Sequence, residues 1–148
     1  MLDIAADYER KIKGKISVFI VSKKKIQTLN KQFRNQDKVT DVLSFPLTVT
    51  SFIGPAQETY LGELFICPAH IKEQAQQWNV SFKNEMIRML VHGLLHLAGH
   101  DHEVVVDAQK MFKLQEKIVV QIYKRIFHRL IPVYPIITRQ DTKGVYLS

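Results

Sequence analysis

One apolar stretch that runs into a cluster of histidines constrains this chain more than any other. After Ser81, which is placed to cap a first helical turn, Phe82, Met86, Met89, Leu90, Gly93, Leu94 and Leu97 fall within one broad face at helical period. A face that wide has to be covered by other elements, so this is expected to be the central helix of the fold. Its end is the segment HGLLHLAGHDH, residues 92–102, with four of the six histidines of the chain. His92 and His96 are four residues apart, so they point the same way from successive turns and both imidazoles can hold one ion. Gly99 comes where the helix should stop, because glycine accepts the left-handed conformation that turns the chain back. His102 can then return to the same ion. Three nitrogen ligands are the number a catalytic zinc uses when its fourth position is left for water. His100 and Asp101 either orient an imidazole or shape the turn.

The elements around this helix follow from hydrophobic period. Ile16 to Val21 is a β-branched and aromatic run, apolar on both faces, and reads as a central strand. Ile26, Leu29 and Phe33 give a short amphipathic helix that ends near Arg34 and Asn35. Val42 to Leu47 and Tyr60 to Cys67 read as two more strands, joined by a loop with Gly54 and Pro55; Pro46 makes its strand an edge or a bulged one. Pro68 opens a helix with Ile71, Ala75 and Trp78 on its buried stripe, and a last helix runs from about Val105 to Phe127 with Met111, Leu114, Ile118 and Ile122 inward. Residues 130–148, with Pro132 and Pro135, form an irregular tail. The expected fold class is α+β: a small mixed β-sheet packed against helices, with the metal-binding helix at its centre.

At 148 residues the chain has the size of a single domain. A formal net charge of +7 favours a polyanionic partner, nucleic acid first, through attraction and counterion release. Cys67 is the one cysteine, which excludes an intrachain disulfide, fits a reducing compartment and suits packing at a strand end. The first residues carry early acidic groups and no apolar run before a cleavage site, so no export signal is expected. Lys and Arg interrupt every apolar stretch before it reaches the length of a membrane span, and the sequon at Asn79 is read as chance.

The histidine spacing is also that of the metzincin zinc proteases, whose helix reads His-Glu-x-x-His-x-x-Gly-x-x-His. Here Gly93 stands where those enzymes keep their general-base glutamate, so peptide hydrolysis lacks its proton acceptor. The whole run from His92 to His102 resembles the signature of the YbeY family, metal-dependent endoribonucleases of ribosomal RNA maturation. Leu29 to Arg34 with Thr40 to Pro46, Leu61 to Cys67, and Met111 to Ile118 resemble that family's other marked segments, so the likeness spans about residues 16–126.

The resemblance implies that His92, His96 and His102 bind one zinc ion and that Arg34 and His92 are catalytic, Arg34 in the cleft beside the metal. A guanidinium offers paired donors and a permanent charge for phosphate oxygens while a metal polarises the same phosphate. It further implies single-strand-specific cleavage in small-subunit ribosomal RNA 3′-end maturation and ribosome quality control, in a cytoplasm, with RNA, the small ribosomal subunit and ribosomal proteins or assembly factors as partners. The proton acceptor stays open among metal-held hydroxide, Asp101, His100 and the RNA's own 2′-hydroxyl. Glu63 stands where the family often has aspartate, which lengthens the arm. Arg125, His128, Arg129 and Arg139, in or near the tail, read as a solvated basic end. Two other classes compete: a non-catalytic zinc-containing assembly factor, disfavoured because structural zinc sites are usually closed, and a metalloprotease-like hydrolase, disfavoured by Gly93.

Overall fold

The computed structural model describes residues 1–51, 58–100 and 105–127. Gly54, Pro55, Asp101, His102, His128, Arg129, Arg139 and the tail from 130 to 148 lie outside the described residues.

Helix α1 (Leu2–Tyr8) is followed by a short turn of 3-10 helix (Arg10–Ile12), strand β1 (Lys15–Ile20), helix α2 (Lys23–Arg34), strands β2 (Val42–Ser51) and β3 (Glu58–Ile66), and helices α3 (Pro68–Gln77), α4 (Phe82–Leu97) and α5 (Val105–Phe127). The sheet has the order β1-β3-β2, with β1 parallel and β2 antiparallel to β3. It is the small mixed sheet of an α+β fold, packed against helices.

The central strand is β3, and this corrects the reading of the Ile16 to Val21 run. Among the described residues β1 pairs on one side only, and Ile20 at its end is 69% exposed. An apolar run shows that a segment suits a strand; its rank in the sheet is set by how many partners it finds. Phe19 of β1 is used instead in a stacked contact with Phe65 of β3, ring centroids 4.8 Å apart. Strand β2 is the other edge, and its register shifts between Pro46 and Val49. Proline lacks the N–H a ladder needs, so it occupies both an edge and a bulge.

Side-chain alternation along β2 and β3 divides the helices between the two faces. Leu43, Phe45 and Phe65 pack with Ile26 and Leu29 of α2. Val42, Leu64 and Ile66 face the other way, against Ile71 of α3 and Met89, Val91, Leu94 and Leu95 of α4. Beyond α4, Met111, Ile118 and Ile122 of α5 and Ile4 and Ala5 of α1 complete the main core. Phe33, expected on the buried stripe of α2, is 57% exposed and meets Phe45 edge-on at the rim of the sheet.

The local stop signals act as expected. Ser81 Oγ accepts from the Asn84 backbone N–H at 3.1 Å, capping α4. Pro68 occupies the first turn of α3, where a missing N–H costs no hydrogen bond, and buried Cys67 closes β3 just before it. α4 is buried more widely than the single face read from period, because Ile87, Val91 and Leu95 are covered by other elements as well.

Candidate metal centre

The site is built where α4 crosses α5. Gly93 lets α4 approach the sheet: a Cβ there would stand 2.9 Å from Leu64 Cδ2, 3.2 Å from Val42 Cγ2 and 3.3 Å from Ser44 Oγ. The Ser44 hydroxyl donates to the Gly93 carbonyl at 3.2 Å, tying helix to strand. The position that holds a catalytic glutamate in metzincin proteases is thus pressed into the sheet, with no room for a side chain.

Rigid support on that side leaves His92 and His96 fixed on the other. Their Nε2 atoms converge to 3.1 Å and their rings meet edge to face, centroids 4.6 Å apart. Two nitrogen ligands held at zinc's usual bond length in a tetrahedral shell would be roughly 3.3 Å apart, so the pair fits one shared ion. Buried His92 is also held by Gln115 Oε1, 2.9 Å from its Nδ1, and by the Phe112 ring, nearly parallel at a centroid distance of 6.3 Å.

Behind Gln115 runs a chain of charges that sequence reading missed. Gln115 Nε2 donates to Glu116 Oε1 at 3.2 Å, and Arg88 grips the same carboxylate through Nε at 2.8 Å and Nη2 at 3.3 Å. Arg88 Nη1 also donates to Glu85 Oε2 at 2.9 Å, and Glu85 is fully buried. Burial works against the Arg88 charge, but the two carboxylates outweigh it and raise its pKa further above the ordinary arginine value. The signal for this network was present: Glu85, Arg88, His92 and His96 form one polar row at spacings of three and four along a helix that is otherwise apolar after Asn84.

The helix ends in a Schellman turn. Gly99 has φ +87°, its N–H donates to the His96 carbonyl at 2.9 Å, and the His100 N–H donates to the Leu95 carbonyl at 3.0 Å. His100 Nε2 then stands 2.7 Å from Glu9 Oε2. Burial raises the Glu9 pKa, but His100 and the Lys11 N–H more than offset this and hold it below the usual carboxylate range. The turn after α4 is thereby tied to the start of the chain. Among the described residues no group of three His, Cys, Asp or Glu comes together, and His102, the third expected ligand, lies outside them.

Over residues 1–123 the chain matches the family model described as Endoribonuclease YbeY. The chain belongs to the YbeY endoribonuclease family. As a family member it is an endoribonuclease, and RNA is its substrate. A YbeY endoribonuclease of Thermotoga maritima is 39% identical over 109 residues, covering 73% of this chain and 67% of the relative. One of Thermodesulfovibrio yellowstonii is 44% identical over 105 residues, covering 70% of this chain and 64% of the relative. One of Staphylococcus carnosus is 40% identical over 118 residues, 77% of each chain. The fold resembles the solution structure of TM1509 from Thermotoga maritima, with a TM-score of 0.56, 31% identity and coverage of 89% of this chain and 87% of that one.

Within this YbeY fold the other marked segments build the surroundings of Arg34. Asn30, buried on α2, donates through Nδ2 to the Lys38 carbonyl at 2.9 Å. Asp41 Oδ1 accepts from the Val42 N–H at 2.8 Å and from Thr40 Oγ1 at 3.1 Å. Asn35, with φ 56°, closes α2 in the left-handed conformation, and Asp37 accepts from Lys31 at 2.7 Å and from Gln27 at 3.0 Å. Arg34 is exposed at the C-terminal end of this helix. His92 and His96 belong to α4, and among the described residues no hydrogen bond or ion pair joins Arg34 to either. Alternation with Leu64 also turns Glu63 toward the α2 side, away from the histidines.

Proposed function

We propose that this endoribonuclease is zinc-dependent, with His92, His96 and His102 as the ligands of one ion. The convergence of the His92 and His96 Nε2 atoms to 3.1 Å carries this reading. A bound zinc ion supplies Lewis acidity at the scissile phosphate. The residues of the chain do the rest: α4 holds the two imidazoles against a buried backing, and Arg34 takes phosphate oxygens of the RNA and offsets the negative charge that develops during cleavage. On this reading His92 is catalytic by holding the metal. Arg34 is exposed at the C-terminal end of α2 and is free of hydrogen bonds or ion pairs to the histidine pair among the described residues.

The RNA proposed is single-stranded ribosomal RNA, cleaved in small-subunit 3′-end maturation and ribosome quality control in the cytoplasm. The net charge of +7 supports a large polyanionic partner and salt-sensitive binding. Among the described residues no helix is long and apolar enough to cross a membrane. The test is cleavage of an end-labelled ribosomal RNA fragment by metal-stripped and zinc-restored protein, beside His96→Ala. Activity that disappears on stripping, returns with zinc and is missing in the variant supports the reading; cleavage unchanged in the variant overturns it.

A further inference from the structure

The side chain of Gln115 can be read in only one orientation, and that has a consequence for His92. A primary amide has a donating end and an accepting end, whereas an ionised carboxylate only accepts. Arg88 holds Glu116 through two donors, so the end of Gln115 that faces Glu116 Oε1 at 3.2 Å must be its NH2 group. The oxygen of the amide is then the end 2.9 Å from His92 Nδ1, and an oxygen there only accepts. Nδ1 must carry the hydrogen of the neutral ring. Nε2 is left with its lone pair, directed at the point where His96 Nε2 converges on it.

We infer that Gln115 is a positioning residue that selects the Nδ1–H tautomer of His92, and that Glu116, gripped by Arg88, selects the orientation of Gln115. The chain Glu85–Arg88–Glu116–Gln115 thereby sets which nitrogen of His92 is available to a metal. Every link is a contact between α4 and α5 or within one of them, so packing of the two helices and ligand orientation are one event. Phe112 lies nearly parallel to the ring, with centroids 6.3 Å apart. The inference rests on the zinc reading for its purpose, but the tautomer itself is a property of the metal-free protein.

The experiment follows the imidazole nitrogens of His92 by 15N NMR in metal-free wild-type, Gln115→Met and Gln115→Glu proteins, with zinc affinity measured on the same samples by competition with a chelating dye. Methionine fills the space without an accepting oxygen; glutamate keeps one, and a proton held between its second oxygen and Glu116 Oε1 takes the place of the amide N–H. Backbone amide spectra show that each variant is folded. A protonated Nδ1 and bare Nε2 in the wild type, a shift toward the other tautomer in Gln115→Met and its return in Gln115→Glu are expected. Zinc affinity should fall about 10- to 100-fold in Gln115→Met and recover in Gln115→Glu. A wild-type ring protonated at Nε2, or a tautomer unchanged in folded Gln115→Met, overturns the inference. Should the tautomer behave as expected while the wild type binds no zinc, the positioning role stands and the metal reading fails.

Discussion

Ser44 and Gly93 join strand β2 to helix α4 by a hydrogen bond of 3.2 Å, from the serine hydroxyl to the glycine carbonyl, where helix and sheet lie too close for a Cβ on residue 93. The histidine pair begins one residue earlier on the same helix. Its position relative to the sheet is therefore set by a contact in which a side chain is absent by necessity.

Gly93→Glu should destabilise the protein by about 3 kcal/mol or more, because a charged side chain would be forced among Leu64, Val42 and Ser44 without a partner. Restoring the protease glutamate should yield no peptidase. Thermal melting followed by circular dichroism checks the first statement, and a folded variant with a wild-type melting temperature would contradict it.

Zinc should raise the melting temperature of wild-type protein, since a ligand that binds only the folded state stabilises it by about 2.7 kcal/mol at a hundredfold excess over Kd. Differential scanning fluorimetry on metal-stripped samples should show this rise in the wild type and lose most of it in His96→Ala. An equal rise in both proteins would place the ion elsewhere.

Arg34→Ala should slow RNA cleavage by about 10²- to 10³-fold, the effect of removing a single charge-stabilising donor from a transition state. Zinc content should be unchanged, because Arg34 is exposed at the end of α2 and is not one of the proposed ligands. Single-turnover kinetics with metal analysis of the same preparations tests both halves, and undiminished cleavage would remove Arg34 from the site.

Gly99→Ala should cost about 1–2 kcal/mol, the backbone penalty of placing a Cβ in a left-handed conformation. Among the described residues, its chain neighbours aside, no atom lies within 4 Å of the added carbon, so the loss reports the backbone conformation at φ +87°. Chemical denaturation measures it. An unchanged midpoint would mean that the turn after α4 adopts another conformation in solution.

Asp37 should make stability depend on pH in the acid range. The Lys31 and Gln27 hydrogen bonds and the Lys31 charge hold its carboxyl below the usual aspartate value in the folded protein. Its contribution is present above the unfolded aspartate pKa of about 4 and is lost as pH falls through the lower folded value. Asp37→Asn should thus melt slightly below the wild type at neutral pH, with the gap closing in acid. A gap of constant size would show that Asp37 does not titrate with folding.

Much of this architecture was legible in local pattern. Ser81, Pro68 and Gly99 act through backbone rules that need only a few neighbours, so the ends of α3 and α4 follow from residue type. The four-residue spacing of His92 and His96 likewise brings their rings together through helix geometry alone. The rank of strands was not legible. Ile16 to Ile20 are as apolar as a central strand, yet β1 is an edge, because β3 has already taken the place between it and β2. Nor did charge spacing show that Arg88 reaches across to Glu116 on another helix, 28 residues away.

The sequence by itself determined the helix that carries the histidines, its cap and its stop, and the alternation that gives the sheet two faces, because each depends on contacts within a few residues. Only the tertiary structure decided that Gly93 is needed for close approach, that Gln115 meets His92, and that α2 packs on the sheet face opposite α4. Ser44 and Gly93 are 49 positions apart and His92 and Gln115 are 23 apart, so such relationships exist only once packing has chosen which faces meet.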